Sequence, residues 1–252
     1  MGWFGNLQQR RRKQSELDES LWRRAIAPYA FITALNPPDL LRLREMVIAF
    51  LDQKQLHGAA GLVLSNEARV AIAVQACLPV LNLGLECYEG WVGVIVYPGE
   101  FRVAREIVDE AGVVHEFDDE LSGEAWPDGP VILSWQDASL SEPGYNVVIH
   151  EFAHKIHMLR GNDDGFPAPH AGMDRERWEL AFESAFARFC GAVGRGAQTR
   201  MDPYAAEHPA EFFAVASEAF FTDAPGLVAE FPAIYRELAA FYRQDPLART
   251  PT

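Results

Sequence analysis

Cysteine is scarce in this chain of 252 residues: Cys77, Cys87 and Cys190 are an odd number at wide spacings. That pattern excludes a disulfide framework and a CxxC metal pair, and it reads as three small buried hydrophobes. Positive charge is also short. Twenty-two Lys and Arg against 36 Asp and Glu leave a net charge of −14, which repels phosphate backbones and argues against nucleic acid as a direct partner. No stretch approaches the roughly 18 apolar residues of a membrane-spanning helix, and no apolar run follows the first charges as it does in a secretory signal. These absences lead us to expect a cytoplasmic protein without a membrane partner. The Met-Gly start has Asn6 where a myristoylation signal has Ser or Thr. The one basic run, Arg10 to Lys13, reads as part of a solvated tail over residues 1–15.

Apolar residues, by contrast, are plentiful at 49%, enough for a sizeable core. Apolar spacings of 3 to 4 predict helices over about 16–35 and 37–55, separated by Asn36-Pro37-Pro38, and a third helix over "EARVAIAVQACLPV". The middle third changes character. "WVGVIVYP", "VVHEF" and "PVILSW" are short, β-branched or aromatic, and bounded by Gly, Pro and Asp, as strands are. From Tyr145 the helical period returns in "NVVIHEFAHKIHML", "RERWELAFESAFARFCGAV", "PAEFFAVASEAFF" and "PAIYRELAAFYRQ". Helices, then strands, then helices, without βα alternation, predict an α+β fold. We expect one domain from 16 to 252, with the N-terminal helices and sheet running to about 144.

Chemistry concentrates in "NVVIHEFAHKIHML", residues 146–159. Residues four apart on a helix project side by side, about 6 Å apart, so His150 and His154 offer two imidazoles to one zinc ion. Glu151 lies about 100° around the helix, close enough to take a proton from water at the metal and pass it to a leaving amine. With 7 His and 22 Glu in the chain, an HExxH arises by chance roughly 0.02 times in a sequence of this length. Two buried histidines satisfied by hydrogen bonds are the competing explanation, but that leaves Glu151 in an apolar setting with no cation nearby. A catalytic zinc needs a third protein ligand. The HExxHxxGxxH arrangement is excluded, because positions 157 and 160 hold His157 and Arg160. His157 reads as a partly exposed helix-end histidine. The remaining pattern is a glutamate from a later helix, and Glu179, Glu183, Glu211 and Glu218 all sit among apolar neighbours. Spacing does not choose among them.

"VVIHEFAHKIHML" followed by "DPYAAEHPAEFFAVASEAFF", and preceded by "WVGVIVYPGEF" and "GPVILSWQDA", closely resembles the Mlc titration factor A family of bacterial zinc metallopeptidases over about residues 16–245. The second motif also looks like the ligand helix of anthrax lethal factor. The resemblance implies a zincin-like fold of gluzincin type, one Zn(2+) per chain and aminopeptidase-like activity. It makes Glu211 the third ligand beside His150 and His154, and gives Tyr204 a hydrogen bond to the oxyanion of the tetrahedral intermediate. It also implies a protein partner, a Mlc-like transcriptional repressor, with sequestration of that partner as the alternative main task. Glu218, two turns beyond Glu211, then reads either as a carboxylate orienting a ligand histidine or as one half of a structural ion pair, and Glu183 is equally ambiguous. "WVGVIVYP" reads either as the sheet edge that receives an extended peptide or as a core strand. The glycines between Gly191 and His208 mark a loop able to move over the site.

Overall fold

The computed structural model describes residues 17–108, 114–160 and 165–249, so the tail expected over 1–15 lies outside the described residues. The first helical stretch is broken in two at Pro28, which lacks the amide hydrogen a helix interior needs: α1 spans Glu19–Ile26 and α2 Ala30–Thr33. Asn36 then caps α3 (Pro37–Gln53), its side chain accepting from the Asp39 amide at 2.9 Å with proline in the first turn. Ser65 does the same for α4 (Asn66–Cys77), which is buried along nearly its whole length.

The strands are β1 (Gln55–Gly58), β2 (Gly93–Tyr97), β3 (Phe101–Val108), β4 (Val114–Leu121), β5 (Gly123–Ala125) and β6 (Val131–Ser134). Four of them form one sheet in the order β1-β2-β6-β5, parallel except for β5, which runs antiparallel to β6; β3 and β4 form a separate hairpin. "WVGVIVYP" thus becomes β2 in the interior of the sheet, with Val94 and Val96 fully buried, and is not the edge. The edge nearest the histidine helix is β5. Sequence reading passed over β5 because Gly-Glu-Ala has no apolar alternation, and it assigned no strand to β1, which begins where the preceding helix was expected to end.

The second half contains α5 (Trp135–Ala138), α6 (Val147–Arg160), α7 (Arg175–Gly194), α8 (Pro209–Thr222), α9 (Ala224–Glu230) and α10 (Pro232–Tyr242). Ten consecutive residues of α8, Phe212 to Phe221, are buried, which makes it the axis of this half. Phe182 and Trp178 of α7 pack tilted at 4.4 Å between centroids, and Phe213 of α8 meets Phe241 of α10 at 5.6 Å. Burying each such ring contributes about 1.5–3 kcal/mol. The result is the expected α+β order, with α6 and α8 packed together. Cys77 and Cys87 are buried as expected, but Cys190 is only half-buried. Among the described residues no helix is long and apolar enough to cross a membrane.

Candidate metal centre

The histidine helix starts where Asn146 stops the chain from running on extended. Its side chain accepts from the Ile149 amide at 2.8 Å and donates to Gln75 at 2.6 Å, while its own amide donates to Glu218. Val148, Ile149, Phe152, Ala153 and Ile156 are fully buried, so one face of α6 is fixed in the core. The neighbouring face carries His150 and His154, whose side chains remain 13% and 12% exposed.

Glu211, in the first turn of α8, reaches the same point. Its Oε2 lies 3.0 Å from His150 Nε2 and 3.2 Å from His154 Nε2, and the two Nε2 atoms are 3.1 Å apart. Ligands at about 2.0–2.1 Å in a tetrahedron stand about 3.3 Å from one another, so this near-equilateral triangle of two imidazoles and a carboxylate has the size and donor chemistry of a zinc site with its fourth position open. Of the four candidate glutamates, Glu179 and Glu183 are on the exposed face of α7, and Glu179 pairs with Arg175 there at 2.9 Å. Glu218 faces His150 from behind: its Oε1 accepts from Nδ1 at 2.7 Å. That bond fixes the tautomer with the Nε2 lone pair toward the triangle.

The charges here are strongly coupled. Burial disfavours a proton on His150, but hydrogen bonds to Glu211 and Glu218 outweigh it and raise its pKa well above the usual value. Glu211 is likewise opposed by burial yet held far below the ordinary carboxylate range by the two histidines. Glu151, 4% exposed with Oε2 unpartnered, is pushed up to about 8 by burial, which the nearby glutamates reinforce and His150 opposes. A carboxylate so stranded fits a site completed by a cation.

Tyr204 sits in a 3-10 turn, Pro203–Ala206, capped by Asp202, which accepts the Tyr204 amide at 2.9 Å. Its ring centroid is 6.3 Å from that of His150, and it lines the cavity over the triangle. His157 departs from expectation. It is 6% exposed, buried beside Phe213 and lining the same cavity, on the inward side of a helix end whose Met158 and Leu159 stay exposed. Gly191 and Gly194 belong to α7 and not to a loop.

Sequence reading missed the contribution of β5. Its Gly123 passes directly over Glu151, and Glu124 lines the cavity. Lys155, next to His154 and 3% exposed, ties the turn after β5 to α6 by donating to the carbonyls of Trp126, Pro127 (3.4 Å) and Gly129 (2.9 Å). Lys54 and Lys155 bracket the Trp91 ring at 3.8 and 4.6 Å. A lysine inside an otherwise apolar helix face was the available signal for that anchor.

A family model described as glucose-regulated metallo-peptidase M90 matches residues 4–243. Proteins called Mlc titration factor A from Yersinia pestis (strain Pestoides F) and Yersinia pseudotuberculosis serotype O:1b (strain IP 31758) are each 38% identical over 224 residues, covering 86% of this chain and 82% of theirs.

Proposed function

Because the chain belongs to the glucose-regulated metallo-peptidase M90 family, we propose that it is a zinc-dependent peptidase, aminopeptidase-like, in which His150, His154 and Glu211 hold one Zn(2+). The observation that carries this reading is the 3.0–3.2 Å triangle of donor atoms with the buried Glu151 beside it. Zinc bound there supplies Lewis-acid polarisation of a peptide carbonyl and lowers the pKa of water. Glu151 acts as general base, taking a proton from water, and then as general acid toward the leaving amine. A proton affinity raised by burial suits a group that must both accept and return the proton. The Tyr204 hydroxyl donates to the oxyanion, so its hydrogen bond strengthens only as charge develops there. Glu218 keeps His150 in the required tautomer. Residues 16–252 work as one domain, in the cytoplasm.

The test is zinc content and turnover measured together. Glu151→Gln is expected to retain about one zinc per chain while losing turnover by about 10²–10⁴-fold. Wild-type turnover in that variant overturns the mechanism, and wild-type protein that takes up no zinc overturns the centre.

A second reading is favoured by the relatives' name, Mlc titration factor A: the chain binds a Mlc-like repressor, with peptidase activity weak or secondary. Equal capture of such a repressor by wild type and Glu151→Gln separates the two tasks.

A further inference from the structure

The histidine helix carries a second pair of side chains spaced like the first. His150 and His154 meet Glu211; Glu151 and Lys155, each one residue further on, are again four apart and so lie side by side, about 6 Å along the axis. Both are buried. This second stripe meets β5 at its two ends. A β-carbon on Gly123, the first residue of the strand, would fall inside contact distance of Glu151 Oε1, so the backbone there rests against the carboxylate. The turn that follows the strand, at 126–129, rests on Lys155.

The lysine is fully used. An ammonium has three N–H donors, and Lys155 Nζ gives them to three carbonyls, those of Trp126, Pro127 and Gly129. The Trp91 ring, 4.6 Å from the same nitrogen, favours the charge there. Taking an ammonium out of water is costly, and an apolar side chain of similar length would fill the space without that cost. What the ammonium adds is one fixed point for three carbonyls. The strand it steadies needs such a point: β5 is three residues long and pairs on one side only, with β6, while Gly123, Glu124 and Ala125 all line the cavity.

We propose that Lys155 is a positioning residue for the base: by fixing the turn at 126–129 it holds β5 against Glu151 and keeps that carboxylate confined beside the triangle. This rests on the peptidase reading above and extends it to a side chain that acts only through the strand. One helix then sets both halves of the chemistry, the metal ligands with one stripe and the base with the next.

The test reads amide exchange and hydrolysis of Ala-Ala-Ala together in full-length, zinc-loaded protein. Lys155→Met removes the three donors and keeps the length of the side chain. The Trp126 amide donates to the Pro130 carbonyl and the Gly129 amide to the Trp126 carbonyl, each at 3.2 Å. Exchange at these two amides is expected to quicken by about tenfold or more while the amides of α6 stay as they were. A fall in kcat of about 10–10²-fold is expected, the cost of moving a reacting group by up to about 1 Å, with zinc content unchanged. In a Glu151→Gln background the same substitution should lower the residual turnover by less than about threefold, because the group it positions is already gone. General damage to the fold lowers both backgrounds alike. Gly129→Ala disturbs the turn with the lysine in place, since its β-carbon would stand 2.8 Å from Trp126 Cβ. It should give the same pattern, so it decides the matter if Lys155→Met does not fold. Unchanged exchange, unchanged kcat, or equal losses in both backgrounds overturns the proposal. Faster exchange in protein whose wild type cleaves no peptide overturns the peptidase reading, and the positioning role with it, while the hold on the turn stands.

Discussion

A β-carbon on Gly123 would lie 2.4 Å from Oε1 of Glu151 and 2.8 Å from its Cδ, so the edge strand crosses the carboxylate with room for a hydrogen atom only. The backbone at Gly123 does not need positive φ, and space alone demands glycine there. Gly123→Ala must push aside either β5 or the base. Displacement of about 1 Å at a reacting group costs up to about 10²-fold in rate. We expect kcat to fall on that order with zinc content unchanged, and equal kcat would show that Glu151 is not confined by β5.

Tyr204→Phe removes one hydroxyl from the cavity wall. If that hydroxyl stabilises the oxyanion, kcat drops about 10²–10³-fold while KM hardly moves. Steady-state kinetics on one peptide substrate decide it, and a change confined to KM would make Tyr204 a binding residue instead.

Glu218→Gln keeps the shape but weakens the acceptor behind His150 Nδ1. Loss of such a partner lowers metal affinity by about 10–100-fold. Competition against a zinc indicator measures it directly; an unchanged Kd would reduce Glu218 to a structural role.

The ligands come from two helices, so metal binding and folding are linked. Zinc at 100 times its Kd adds about 2.7 kcal/mol, which in a chain of this size raises Tm by roughly 5–10 °C. Chelation should remove that increment from the wild type and leave Glu211→Ala unaffected, as thermal melts with and without zinc would show.

Lys54 gives a pH dependence remote from the triangle. Burial lowers its pKa to about 8 in the folded chain, opposed only by Glu89, whereas its ordinary value is 10.5. Between these values the unfolded chain holds the extra proton, so stability rises with pH from about 8 to 10.5, by on the order of 2 kcal/mol. Denaturant melts across that range should show the rise; burial lowers Lys155 to about 8 as well, so Lys54→Met should remove Lys54's share and leave the rise from Lys155.

His150, Glu151 and His154 were legible because helical spacing puts chemistry on one face in four residues, and Asn36, Pro37 and Pro38 announced a helix boundary by local capping alone. Choosing Glu211 over Glu179 or Glu183 required either resemblance or coordinates, since apolar neighbours in sequence do not say which face of a helix is buried. His157 was misjudged for a related reason: a helix end still has an inward side, and the packing of His157 against Phe213 is not predictable from the helix alone. Strand β5 was invisible because three residues, held by pairing with β6 and by a lysine that ties down the turn after them, carry no periodicity.

Both nitrogens of His150 are held by one helix: Glu211 takes Nε2 and Glu218 takes Nδ1, seven residues further along α8. Each residue added to or removed from that interval would turn one carboxylate about 100° around the helix axis. Single substitutions between them can be absorbed by repacking, whereas a one-residue insertion or deletion cannot. The interval's length is therefore a ruler, as much a part of the centre as the side chains it separates.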